Sequence, residues 1–205
     1  MHVKVCGLTR AADADLAADL GAHWLGCVLV AGTPRAVSPA DVASVLGAHR
    51  SRGVLVFRDA GYSEIMSAVE VCGVSRVQLH RVSEETAARC EPAGLKVHRV
   101  LDATRPEAVA EAVARARADA PIHLDVGGGG SGRTFPWSEL GGHDLTHVIV
   151  AGGITPANVS DLLVCRPGGV DVSSGLETAP GVKDTDRLRA FFAAVRAAPI
   201  REESP

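Results

Sequence analysis

Short apolar stretches recur along the chain, at Val3–Cys6, Trp24–Val30, Gly53–Phe57, Arg76–His80, Leu95–Val100, Ile122–Asp125, His147–Ala151 and Gly169–Ser173. They read as continuous runs rather than alternating ones, the pattern of strands covered on both faces. The segments between most of them carry helical signals. Thr9–Leu20 opens on a capping-type Thr and stops at Gly21. Pro39–His49 has Ser38 as its N-cap and a proline at the first helical position. Ser63–Cys72, Glu84–Cys90, Pro106–Ala118, Pro156–Leu163 and Thr185–Ala197 complete the helical set, and Trp137–Leu140 has room only for a short turn.

Eight strands alternating with helices predict parallel pairing through right-handed crossovers. In a chain of 205 residues, each strand-helix unit takes about 26 residues, which fits a compact (β/α)₈ barrel. The expected fold is α/β, one single-domain TIM barrel over residues 1–200, with 201–205 as a disordered tail. An open doubly wound sheet would place a GxGxxG loop after its first strand, and Cys6–Gly7–Leu8–Thr9 is not one.

Composition narrows the functional classes. Basic and acidic side chains nearly balance, 21 against 24, so no general attraction to nucleic acid or to a membrane surface is expected. Aromatic residues make up only 3% of the chain, too few for base-stacking platforms. The longest apolar stretch, around Trp24–Ala31, has the length of a strand and not of a membrane span. Met1 leads directly into His2–Cys6 with no basic leader, so no secretory signal is expected. The five cysteines are scattered without CxxC pairing, which points to a reduced, cytoplasmic chain. The histidines form no HxH or HExxH spacing, and no metal site is expected.

In such a barrel the reactive groups stand at the C-terminal ends of the strands. Those ends supply Cys6, Arg35 beyond the second strand, His80, Asp125, Gly152–Gly153, and Asp171 with Ser173–Ser174–Gly175. The glycines after strands seven and eight can be ordinary tight turns. Occurring together, they fit a phosphate site in which backbone N–H groups approach an anion closely. Cys6 taken alone reads as a small core residue, and His80 as a hydrogen-bonded strand-end histidine. Asp125 ends an apolar strand before a glycine-rich loop and must find a partner. A thiol and a carboxyl can serve as base and acid where the site shifts their proton affinities toward each other. His123 shares side-chain parity with Asp125, which places an ionisable ring inside the barrel beneath it.

Together these residues resemble the phosphoribosylanthranilate isomerase family of tryptophan biosynthesis. The resemblance runs from Lys4 to about Val195. It is carried by Lys4–Val5–Cys6–Gly7–Leu8–Thr9, Pro34–Arg35–Ala36–Val37–Ser38, Val77–Gln78–Leu79–His80 and Gly129–Gly130–Ser131–Gly132–Arg133–Thr134–Phe135 with Trp137. It continues through Ala151–Gly152–Gly153–Ile154 with Asn158–Val159, Val170–Asp171–Val172–Ser173–Ser174–Gly175–Leu176–Glu177, and Gly181–Val182–Lys183–Asp184. The resemblance implies an aldose-to-ketose Amadori rearrangement of N-(5-phosphoribosyl)anthranilate, with no cofactor. It implies Asp125 as general acid and Cys6 as general base. Arg35 would meet the anthranilate carboxylate, and His80 and Asp171 would line the ribose. Gly152, Gly153, Ser174 and Gly175 would hold the phosphate. The implied partner is a small phosphorylated sugar-amine, bound by a monomer or homodimer.

The chain departs from the family pattern in several loops. Arg81 follows His80 in place of a glycine, Phe57–Arg58–Asp59 closes the third strand, and Cys27 and Leu29 stand where aromatics are usual. Arg133 replaces a lysine, and Pro136 an aspartate. The proposed acid and base are intact. Three readings follow: the isomerase itself, a paralogue doing the same chemistry on another phosphoribosylated amine, and a catalytically silent barrel that binds a phosphometabolite. Gly127–Gly130 would make the sixth loop a mobile lid.

Overall fold

A computed structural model describes residues 1–126 and 134–198. The glycine-rich part of the sixth loop and the tail at 201–205 lie outside the described residues. Eight parallel strands close into a barrel in chain order, β1 (His2–Val5), β2 (Trp24–Val28), β3 (Gly53–Arg58), β4 (Arg76–His80), β5 (Lys96–Asp102), β6 (Ile122–Asp125), β7 (Val148–Ala151) and β8 (Gly169–Val172). The last strand pairs back onto the first, with Lys4 opposite Asp171. The expected (β/α)₈ barrel is thus present, and every expected strand falls on a real one.

The strands are not the uniformly apolar runs that the sequence suggested. Outward positions such as Val3, Val5, Leu25, Val77, Leu79, Leu124, Val170 and Val172 pack into one continuous apolar core with the surrounding helices. Inward positions alternate with them and are largely polar: Lys4, Gln78, His80, His98, His123, Asp125 and Asp171 are all buried. In β1, β4, β6 and β8 this is a period of two, and burial of both faces hides it from a simple hydropathy reading.

The barrel floor lies at the strand starts. Trp24 stacks on His2 with ring centroids 4.5 Å apart and meets His98 edge-on at 4.7 Å. Arg76 lies over the same indole at 5.6 Å. Trp24, Val54 and Ile149 form a small apolar cluster of their own. These side chains plug the barrel below, so ligand access is from the opposite, C-terminal end.

Among the described residues seven helices surround the sheet: α1 (Ala11–Leu20), α2 (Val42–Leu46), α3 (Tyr62–Cys72), α4 (Glu84–Cys90), α5 (Ala108–Arg115), α6 (Val159–Leu163) and α7 (Thr185–Ala197). Trp137–Leu140 is the single short turn expected there. Three expected helices are corrected. The one expected over Pro106–Ala118 runs only from Ala108 to Arg115. The segment from Pro39 is a 3₁₀ turn, the five-residue α2, and a second 3₁₀ stretch over Gly47–Arg52, because Gly47 takes φ 50, ψ −124 and breaks the helix. The helix after β7 starts at Val159 and not at Pro156. Ser38 holds the expected N-cap position before Pro39, but neither it nor Thr9 makes a capping hydrogen bond. Ser38 Oγ donates to the Asp41 carboxylate. Thr9 Oγ1 donates to the Gly181 carbonyl at 2.6 Å, tying the start of α1 to a hairpin formed by β9 (Glu177–Ala179) and β10 (Val182–Lys183).

Candidate active site

At the open end, one cavity is lined by Cys6, Arg35, His80, Asp125, Gly152, Gly153, Asp171 and Ser174, together with Thr33, Arg58, Gln78, Ile154 and Ser173. Eight of the nine expected site residues therefore meet in one place. Gly175 does not line this cavity. It borders the adjoining hollow with Thr155 and Arg187. A Cβ at Gly175 would lie 1.9 Å from the Ile154 carbonyl oxygen, so glycine lets the loop after β8 press against the loop after β7. In that second loop Gly152 and Gly153 have φ of 94° and 60°. Asn158 pins it, accepting from Thr155 N at 2.7 Å and donating to the Gly153 carbonyl at 3.0 Å.

Asp125 ends β6 and is buried, with Oδ1 accepting the Val126 N–H at 2.7 Å. Burial first, and then the negative Asp171, push its pKa up to about 6. Cys6 lies one residue past β1 and is half-buried. Burial raises its thiol, and the nearby Lys4 ammonium opposes that rise. Cys27 is buried outside the barrel, where burial pushes its thiol up to about 12 and leaves it inert.

Asp171 is the hub at the cavity floor. Its Oδ2 pairs with Lys4 Nζ at 2.8 Å, lies 3.3 Å from His123 Nδ1, and receives the Gln78 amide at 3.4 Å. Burial pushes its pKa up, but Lys4 and His123 outweigh burial and hold it well below the usual carboxylate range. His123 lies inside the barrel as its parity indicated, and its Nε2 is 3.1 Å from His98 Nδ1. His80 is held neutral, with burial pulling its pKa down to about 3. Its Nε2 is 3.1 Å from the Gln78 amide nitrogen. With Nε2 as acceptor, the proton sits on Nδ1.

Arg35 is already engaged. Its Nε and Nη2 grip both oxygens of Glu177 at 2.9 and 2.7 Å. Lys183 Nζ meets the same carboxylate at 2.8 Å. Two cations share one anion, so the cluster keeps a net positive charge beside the cavity. Lys4, Gln78, Glu177 and Lys183 were not singled out by the sequence reading. Lys4 had a legible signal, since it stands two residues before Cys6 on the same face of β1. Among the described residues no cluster of His, Cys, Asp or Glu is arranged to hold a metal ion.

The model of N-(5'-phosphoribosyl)anthranilate (PRA) isomerase matches residues 3–194. The chain belongs to this family. It is 39% identical over 206 residues to the N-(5'-phosphoribosyl)anthranilate isomerase of Magnetococcus marinus, covering 97% of this chain and 96% of that protein. It is 36% identical to the tryptophan biosynthesis protein TrpCF of Yersinia pestis, spanning 94% of this chain but 41% of that longer protein. The crystal structure of the isomerase from Thermus thermophilus superposes with a TM-score of 0.81 at 33% identity, over 96% of this chain and 99% of that one. The chain is thus an isomerase of tryptophan biosynthesis with the TIM-barrel fold, the first of the three readings left open by its sequence. Among the described residues no helix is long and apolar enough to cross a membrane.

Proposed function

We propose that Asp125 and Cys6 are the acid and base of the Amadori rearrangement of N-(5-phosphoribosyl)anthranilate. The observation that carries this is their placement in one cavity, with Asp125 holding its proton up to about pH 6. Asp125 protonates the furanose ring oxygen, and the ring opens to a Schiff base. The Cys6 thiolate removes the C2 proton, giving an enolamine that tautomerises to the ketone as C1 gains a proton. The proton given to the ring oxygen is matched by the one taken from C2, so the rearrangement consumes none.

Arg35 presents its remaining N–H groups to the anthranilate carboxylate, with Glu177 and Lys183 fixing the guanidinium plane. The unpartnered Oδ1 of Asp171 and Oε1 of Gln78 are acceptors for ribose hydroxyls, and neutral His80 supplies an Nδ1–H donor. The phosphate sits against the backbone of Gly152, Gly153 and Ser174, and Gly175 acts by letting those two loops meet. The barrel acts as one domain over residues 1–200, as monomer or homodimer. A reduced cytoplasmic setting suits a base that is a thiol.

Complementation tests this reading. The chain is expected to restore growth without tryptophan to a strain that lacks the isomerase. Soluble, folded protein that fails to do so overturns the substrate assignment.

A further inference from the structure

Lys4 and Asp171 form a buried ion pair at the floor of the cavity, which Asp171 lines, and its two ends face different neighbours. Lys4 precedes Cys6 by two residues on β1. A Cβ built on Gly26 of β2 would lie 3.1 Å from Lys4 Nζ and 2.9 Å from Cys6 Sγ, so the ammonium and the thiol flank a single point. Asp171 leans toward β6, where its Oδ2 approaches His123, two residues before Asp125. The ion pair is therefore a short dipole with its positive end at Cys6 and its negative end on the side of Asp125.

Moving one proton from Cys6 to Asp125 leaves the net charge of the site unchanged. It converts a thiol and a carboxylate into a thiolate and a carboxylic acid, the form that the rearrangement uses. Net charge does not discriminate between these two states, whereas a dipole lying between them does. We propose that the Lys4–Asp171 ion pair is a positioning device that biases the catalytic proton toward Asp125 and away from Cys6, enlarging the share of the thiolate and carboxylic acid form. The proposal rests on the assignment of Cys6 as base and Asp125 as acid.

The charges around each group agree in sign. Burial raises both groups. Around Cys6, Lys4 is the strongest charge and favours the thiolate, ahead of the opposing Asp171, with Lys183 helping. Cys27 and Arg35 also interact electrostatically with the thiol. Around Asp125, Asp171 favours the protonated acid ahead of the opposing Val126 N–H and Lys4, with Asp102 helping. His123 and His80 also face Asp171, and burial lowers both, so both are neutral rings at neutral pH.

The test uses Lys4→Met, Lys4→Arg and Asp171→Asn in the full chain. Two quantities are followed against pH: kcat/KM, and alkylation of Cys6 by iodoacetamide read by peptide mass spectrometry. Because Asp125 has the lower pKa of the two, it sets the acid limb of kcat/KM and Cys6 sets the alkaline limb. Lys4→Met is expected to move the alkaline limb and the Cys6 alkylation midpoint to higher pH. The plateau is expected to fall about tenfold for each pH unit moved. Asp171→Asn is expected to move the acid limb to lower pH in the same proportion. Lys4→Arg keeps the positive charge and is expected to restore the limbs, and it serves as the folded comparison if Lys4→Met does not accumulate.

A lowered plateau with unmoved limbs, an unmoved alkylation midpoint in Lys4→Met, or a Lys4→Arg variant whose limbs and midpoint are displaced from the wild-type values, overturns the dipole. Cys6→Ala distinguishes the two levels of the argument. If it retains turnover, the base assignment fails. If it is inactive while the midpoints do not move, the assignment stands and the dipole fails.

Discussion

Asp125 keeps its proton well above the range of an ordinary aspartate, and that one displacement sets how the site responds to pH. The productive form needs Asp125 protonated and Cys6 ionised. Below about pH 6 Asp125 is already protonated, and further acid only removes thiolate. Above that point, loss of the acid and gain of the thiolate cancel. The expected kcat/KM profile is therefore flat from about pH 6 until the Cys6 thiol itself ionises, and falls about tenfold per unit below pH 6. Steady-state kinetics across pH 5–9 checks this. Cys6→Ala and Asp125→Asn are each expected to lower turnover by roughly 10²–10⁴-fold, and retained turnover in either removes it from the mechanism. At Arg35 the expected signature is different. Glu177→Gln frees the guanidinium from its carboxylate, so KM is expected to rise several-fold with kcat nearly unchanged, while Arg35→Lys loses the planar fork and is expected to raise KM further.

The meeting of the loops after β7 and β8 is the most constrained contact between elements near the cavity. Gly175→Ala would drive a methyl into the Ile154 carbonyl oxygen. Competitive inhibition by inorganic phosphate is expected to weaken by about an order of magnitude, with a lower melting temperature. Inhibition at the wild-type level would remove Gly175 from the phosphate site. Strands were legible in the sequence because each is a short apolar run bounded by turn residues. Their polar inner face was partly legible. The two-residue spacing that placed His123 beneath Asp125 holds equally for Lys4 and Cys6, so the position of Lys4 was legible, but its buried pairing with Asp171 across the barrel was not. Helix ends were least legible. Thr9 and Ser38 have the chemistry of caps but find other acceptors, the Gly181 carbonyl and the Asp41 carboxylate. The β9–β10 hairpin escaped because strands of three and two residues are too short for alternation to show. The Arg35–Glu177 clamp depends on that hairpin and so escaped with it.

Across the whole molecule, the barrel closes around three neutral imidazoles, His80, His98 and His123, all with lowered pKa and burial as the first cause. A histidine whose folded pKa is depressed adds stability that is present above its unfolded value near 6.5 and is lost as pH falls toward the folded value. Asp171 has the same sign, with its contribution lost only at much lower pH. Asp125 has the opposite sign, since its raised pKa stabilises below about 6 and not above. Three depressed histidines outweigh one raised carboxyl, so the melting temperature is expected to fall by several degrees between pH 7 and pH 5. Calorimetry over that range checks it, and a flat melting temperature would place those rings in contact with water. The stacked floor also gives the molecule an optical handle. There are two tryptophans in the chain, and Trp24 is wedged between His2 and His98. With Trp137→Phe, the emission of the remaining indole becomes a single-site report of whether the bottom of the barrel is sealed, so opening by acid can be followed in real time without a dye or an added label.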